Sequence, residues 1–443
     1  MNYFLGIDLG TSYFKAGIFE ETGRLKGLGR QYVHKVSDGI ICELPTDIFW
    51  KTIRLCLDEA LQMAAIPPDA IRSISYSSQA NSFILLDARD EPLTPLILWP
   101  DKRASGIELP LADELLKRTG LGALPNAEYA IAKFKWFQKK RPDVWEKVAC
   151  ILSISDYLTF SLTGHKMCDF STAAMSGQFD IENGAWWDEQ LEKTGIQASM
   201  LPTPKRTGTY VGVTTTDAEY LTGLPPGISF SLGALDHHAA AIGAGISSNG
   251  YLCESTGTVL SCVDETDCYI PRQGVFVAPG LHPGRYFRMM FDDNGATSLE
   301  WYQKNYAPDY SIQELLEMAA HVAPGCEGLT AFPCADRYPE LSGFDIDNRN
   351  CYGHGHFIRA LLESTARSLH SIVTAMHKDR PVKGIVSSGG GSRSKLWVAI
   401  KSDLINVPFF IPECTELACF GAAMIGNRDA GYPRVSIAKN IRT

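Results

Sequence analysis

Asp8, Gly10, Thr11, Ser12 and Lys15 lie close together behind an apolar run, Tyr3-Phe-Leu-Gly-Ile7. A carboxylate, a turn-forming glycine, two hydroxyls and an ammonium group at this spacing are what a metal-bound nucleotide phosphate needs. Gly10 lets the chain turn sharply and bring its amides near a phosphate, and Thr11 and Ser12 add donors. Asp8, at the carboxyl end of the strand, is placed to hold Mg2+ through water. An apolar strand followed by Asp-x-Gly is also an ordinary hairpin start. The second apolar run, Tyr13-Phe-Lys-Ala-Gly-Ile-Phe19, follows the turn directly, as a phosphate-cradling hairpin requires.

Three later segments could complete such a site. Ser255-Thr-Gly257-Thr258 sits between strand signals at 251–254 and 259–263, so Gly257 and Thr258 echo Gly10 and Thr11. Ser388-Gly389-Gly390-Gly391-Ser392 lies between a strand and a helix, which gives a ligand unobstructed amides with a helix N-terminus behind them. It is neither a GxGxxG fingerprint nor a GxxxxGK[ST] loop. Asp236, after Leu232-Gly-Ala-Leu235 and at the mouth of a small-residue helix, can accept a proton from a substrate hydroxyl. The same position suits an N-cap, and the two roles are compatible. His237 and His238 point roughly 100° apart on a helix, so they make no joint metal site; one is expected at the cleft and the other in the packing.

The elements that position these residues alternate. Strands are expected at 3–7, 16–20, 71–77, 82–87 and 148–154, and helices at 46–65, 110–118 and 130–140, an α/β pattern with a mixed sheet. After a turn at 247–250 the opening is replayed, with a long helix at 357–376, a strand running into the glycine turn at 385–391, and helices at 395–404 and 416–425. A chain of 443 residues suggests two domains, here 1–246 and 247–443, with a cleft between them as the natural site.

Composition narrows the partners. With 45% hydrophobic and 21% charged residues the chain reads as soluble and globular, and a net charge of −9 disfavours nucleic acid and anionic membrane. A small neutral substrate fits better. No signal peptide or transmembrane run is expected, and twelve scattered cysteines without CxxC or zinc spacing point to the cytoplasm and to reduced thiols.

These motifs, in this order, resemble the FGGY carbohydrate kinases. Residues 4–15 look like the family's first phosphate segment, and Ser77-Ser-Gln79-Ala-Asn81-Ser resembles its sugar-contact strand. Pro95-Leu-Ile-Leu-Trp99-Pro-Asp101-Lys-Arg103 resembles the next sugar segment. Residues 233–245, 255–258 and 386–423 are similar to the catalytic-aspartate segment, the second phosphate loop and the signature around the adenine pocket. The resemblance implies two actin-like, ribonuclease H-like ATPase domains and transfer of a phosphoryl group from ATP with Mg2+ to a small-molecule sugar. No nucleic acid or membrane partner is implied, and a homodimer is compatible with it. Asp236 would be the general base, Asp8 the metal residue, and Thr11 and Thr258 phosphate contacts. Gly390 and Gly391 would lie against the nucleotide, while Gln79, Asn81, Trp99 and Asp101 would line the sugar pocket.

Departures bear on the substrate. Xylulokinase-like members read Gln-Met-His-Gly where this chain has Gln79-Ala80-Asn81-Ser82, and Trp-Asn-Asp where it has Trp99-Pro100-Asp101. Glycerol kinases read Gln-Arg-Glu-Thr at the first of these, which disfavours glycerol and leaves a ketose near xylulose or ribulose as the expectation. The rival classes are a chaperone-type ATPase or filament subunit of the same architecture, which would need no polyol pocket, and a catalytically weak sensor.

Overall fold

The apolar opening forms a strand, Tyr3–Leu9, and the run after the turn a second, Tyr13–Glu20, paired antiparallel with it. In the computed structural model, which describes residues 2–246, 250–346, 351–377, 381–427 and the backbone of 441–442, the chain divides into two compact units. The first holds the chain up to Gly245, Thr266–Arg288 and the segment beginning at Glu416; the second holds Ile246–Glu265 and Met289–Thr415. Most of the turn expected at 247–250 lies outside the described residues.

In the first unit Tyr3–Leu9 runs parallel to Ile71–Ser78 on one side, and Tyr13–Glu20 pairs with Leu25–Tyr32 on the other. Ser229–Ser231 and Ala234–Leu235 extend the sheet in parallel beyond Ile71–Ser78, and Tyr210–Val213 closes it antiparallel. Helices cover both faces. Thr46–Ala64 lies so close to Leu25–Tyr32 that a Cβ on Gly29 would sit 1.8 Å from the Cys56 carbonyl oxygen. On the opposite face Leu417–Gly426 approaches Gly6, where a Cβ would meet the Cys419 carbonyl oxygen at 1.9 Å. Leu417–Gly426 also packs on Asp236–Gly243 backbone to backbone, since a Cβ on Gly421 would fall 1.8 Å from the Ala239 carbonyl oxygen. Phe14, Phe49, Tyr76 and Phe230 anchor the core of this sheet.

A smaller antiparallel sheet in the same unit carries Cys42–Leu44, Phe83–Leu86, Leu96–Ile97 and Cys150–Ser153, with Ala130–Lys140 packed against it through Phe134 and Phe137. The helix expected at 110–118 shrinks to Leu115–Thr119, because Glu114 adopts a left-handed φ of 62° that blocks propagation toward the N-terminus.

The second unit repeats the opening arrangement. Tyr251–Thr256 pairs antiparallel with Leu260–Thr266 and parallel with Gly384–Ser388, which is followed in parallel by Phe409–Pro412. His354–Met376 and Lys395–Ile405 pack together beside it. Apolar residues at helical spacing, among them Ile358, Leu362, Leu369 and Ile372, bury the inner face of the longer helix. No helix among the described residues is long and apolar enough to cross a membrane, and none of the cysteines is in a disulfide.

Candidate active site

Strand register assembles the acidic group of the first unit. Asp8 lies opposite Lys15 in the antiparallel pair and opposite Ser77 in the parallel one. Ser77 Oγ donates to Asp8 Oδ1 at 2.7 Å, while Lys15 Nζ stands 3.7 Å from Asp8 Oδ2 and 2.8 Å from Glu416 Oε2. Burial raises the Asp8 carboxyl above its usual range, against the pull of Lys15 and the Ser77 hydrogen bond; Asp236 and Glu416 push it further in the same direction. Lys15 is raised because its two carboxylate neighbours outweigh its burial, which is the largest single influence and acts the other way.

Asp236 is the first residue of Asp236–Gly243, one position inside the cap occupied by Leu235. Its Oδ1 accepts from the next amide, His237 N–H, at 2.7 Å rather than from a third-residue amide as an N-cap would. The carboxylate stays partly exposed. His238 is buried against Phe287 and burial drops it to about 3, so it packs as a neutral ring; His237 keeps partial exposure.

The turn after Asp8 is tied to the neighbouring sheet. A Cβ on Gly10 would lie 2.7 Å from the Tyr13 carbonyl oxygen, which is how tightly the chain reverses there. Trp99 Nε1 donates to Thr11 Oγ1 at 2.7 Å, and Lys35 Nζ donates to the Thr11 carbonyl at 3.2 Å. Ser12 is exposed beside it. Gln79, expected as a sugar contact, is buried and gives its amide to the Gly10 carbonyl at 3.3 Å while its oxygen accepts from Ser82 Oγ at 3.0 Å. Asp101, expected in the same role, is fully buried: Cys42 N–H and the Arg103 guanidinium occupy its carboxylate. Both side chains are therefore engaged by neighbouring groups of the protein. Asn81 takes a left-handed φ of 60° and its Oδ1 accepts from Ala130 N–H, at the start of Ala130–Lys140.

In the second unit the two turns lean on Thr256. Gly389 has φ 77°, and a Cβ there would meet the Thr256 carbonyl oxygen at 2.8 Å; one on Gly391 would meet Thr256 Cβ at 2.8 Å. A Cβ on Gly390 would meet only the Thr256 carbonyl oxygen, at 4.0 Å, and Ser392 Oγ closes the turn on the Gly389 carbonyl. Gly257 N–H bonds the Val259 carbonyl, which leaves Thr258 exposed at the hairpin tip. Beneath them Lys401 Nζ, wholly buried, donates to Glu254 Oε1 at 2.9 Å and Thr256 Oγ1 at 2.6 Å.

Sequence reasoning missed Ser77, Glu416, Lys35 and Lys401. Glu416 carried one signal, an acid at the first position of the small-residue helix expected at 416–425.

Among the described residues no three His, Cys, Asp or Glu side chains gather as a metal cage. The donor set at Asp8 fits Mg2+ all the same, since that ion keeps its waters and takes one or two carboxylates plus phosphate oxygens.

The N-terminal domain model of the FGGY family of carbohydrate kinases matches residues 3–243, and the C-terminal domain model of that family matches 314–430. A xylulose kinase of Bacillus subtilis is 28% identical over 98% of this chain and 89% of its own length. A gluconokinase of the same organism is 27% identical over 96% and 87%. A kinase structure from Brucella ovis superposes with a TM-score of 0.86 at 25% identity, covering 97% of this chain and 90% of that one.

Proposed function

The chain belongs to the FGGY family of carbohydrate kinases and is an ATP-dependent sugar kinase; from that premise we propose that its acceptor is a pentulose such as xylulose or ribulose. Residues 1–246 would supply the sugar pocket, the base and the first phosphate turn, and residues 247–443 the nucleotide contacts. Asp236 takes the proton from the sugar hydroxyl as that oxygen attacks the γ-phosphorus, and ADP leaves with the bond electrons. The observation that supports this role is a partly exposed Asp236 carboxylate close enough to the Asp8, Lys15 and Glu416 group to influence the Asp8 charge.

Trp99 offers its exposed face to the sugar carbons, and Asn81 its amide nitrogen to a hydroxyl. Thr11, Ser12 and Lys15, with Gly10, address the phosphates; Gly257, Thr258 and Gly389–Ser392 address the nucleotide. Asp8 would hold Mg2+ through water, and that ion would neutralise charge on the transferring phosphoryl group. The protein's own contribution is alignment and charge placement, with little covalent work.

A sugar acid is the second reading, because the gluconokinase relative stands within one percentage point of the xylulose kinase relative in identity. An ADP-release assay over pentuloses, hexuloses, polyols and aldonic acids decides. Turnover strongest on a pentulose supports the proposal, and strongest turnover on gluconate replaces it with the second reading. Silence across the panel with ATP still bound removes both.

A further inference from the structure

Lys133 sits in the first turn of Ala130–Lys140 with no exposed surface. Its ammonium donates to three main-chain carbonyls, those of Leu98, Trp99 and Glu128, each at 2.9 Å. Three donors meeting three acceptors is the full capacity of a lysine. Two of those acceptors belong to the segment that carries Trp99. The Trp99 N–H is held in turn by Ser82 Oγ at 2.9 Å and its indole by Thr11 Oγ1. Trp99 is thus fixed at amide, carbonyl and ring, and Lys133 is the member of that set that joins its turn to the helix Ala130–Lys140. Asn81, which bonds Ala130 N–H, fastens the same helix start to the other proposed sugar segment.

We propose that Lys133 is a positioning residue for sugar binding: its ammonium fixes the Trp99 backbone, and sugar affinity depends on that ammonium being charged. The inference rests on Trp99 facing the sugar. The groups facing the lysine are Asp101 and Glu128, which favour its charge, Arg103, which opposes it, and Cys42. Burial outweighs them and brings the ammonium down to about 7. A neutral amine has only two protons to offer, so one carbonyl loses its donor as pH rises past neutrality.

The test compares wild type, Lys133→Met and Trp99→Ala. In wild type the sugar KM should rise several-fold between pH 6 and pH 8.5, with the ATP KM following a different profile. Lys133→Met, which keeps the stem and loses the donors, should raise the sugar KM by about tenfold at pH 6, abolish that pH dependence and leave the ATP KM within about twofold. Hydrogen–deuterium exchange at fixed pH should be faster in the variant at residues 96–103 and unchanged in the strand Tyr3–Leu9, a readout that needs no substrate. An unchanged sugar KM in Lys133→Met while Trp99→Ala raises it overturns the inference and leaves the sugar pocket standing. If neither variant moves the sugar KM, the pocket assignment itself fails. Should Lys133→Met not fold, a wild-type sugar KM flat across the pH range, or one moving in step with that for ATP, overturns the inference.

Discussion

The indole nitrogen of Trp99 donates to the hydroxyl of Thr11 across 2.7 Å, which joins a residue of the proposed sugar wall to a residue of the first phosphate turn. Trp99→Ala should raise the sugar KM by about tenfold or more, from lost apolar contact and from a loosened turn. Trp99→Phe keeps the face and loses the hydrogen bond, so its cost should fall mainly on kcat. Steady-state kinetics in both substrates separate the two; a larger effect on the ATP KM than on the sugar KM would move Trp99 out of the pocket.

Asp236→Ala should lower kcat by a factor on the order of a thousand, within the range for removal of a general base. ATP affinity, read by calorimetric titration, should stay within about twofold. Comparable turnover in the variant would strip Asp236 of the role.

The buried pair Lys401 and Glu254 in the second unit predicts an asymmetric result. Lys401→Met strands a wholly buried carboxylate and should cost roughly 3–5 kcal/mol of stability, with the ATP KM raised through Thr256. Adding Glu254→Gln should recover most of the stability. Urea titrations of the single and double variants check this, and an additive pair would mean the two charges do not depend on each other.

The glycine turn offers a contrast between neighbours. Gly391→Ala drives a methyl into Thr256 Cβ at 2.8 Å and should weaken ATP binding or folding by about 1–3 kcal/mol. Gly390→Ala meets only the Thr256 carbonyl oxygen at 4.0 Å and should fold as wild type. Equal melting temperatures for the two variants would contradict the packing described.

Two buried groups set opposite stability slopes with pH. Burial lifts Asp156 to about 7 from 3.8, so across that window the folded state holds a proton that the unfolded state has lost, and stability falls as pH rises. Lys133 falls to about 7 from 10.5, so above neutrality the unfolded state holds the extra proton and stability rises with pH. Asp156→Asn should remove the first slope and Lys133→Met the second, read as thermal melts at pH steps from 4 to 10. Parallel curves for wild type and variant would refute the corresponding assignment.

Much of this frame was legible in the chain. The Asp8 turn, the hairpin behind it, the helix 46–64 and the glycine turn all follow from apolar runs punctuated by glycine. Leu25–Tyr32 was missed because Gly27 and Gly29 interrupt its strand pattern; those glycines are there to admit the helix Thr46–Ala64. Residue type marks polar capacity at Gln79 and Asp101, and only tertiary contacts reveal the buried neighbours that engage it. Glu416 reaches Lys15 from the far end of the chain, a pairing that no local spacing encodes. Lys133 reads in sequence as one of four lysines on an amphipathic helix, and its burial emerges only when the smaller sheet closes over it.

The first unit is discontinuous in the chain, and this limits its modularity. A fragment ending at Gly245 would lack Glu416, leave Lys15 without its nearer carboxylate, and expose the groove over Gly6 that the helix Leu417–Gly426 fills. Fragment swaps between relatives must therefore exchange the C-terminal helix together with the N-terminal sheet, and a library that recombines the two at a single crossover will mismatch Gly421 against Ala239, where there is no room for even a methyl group.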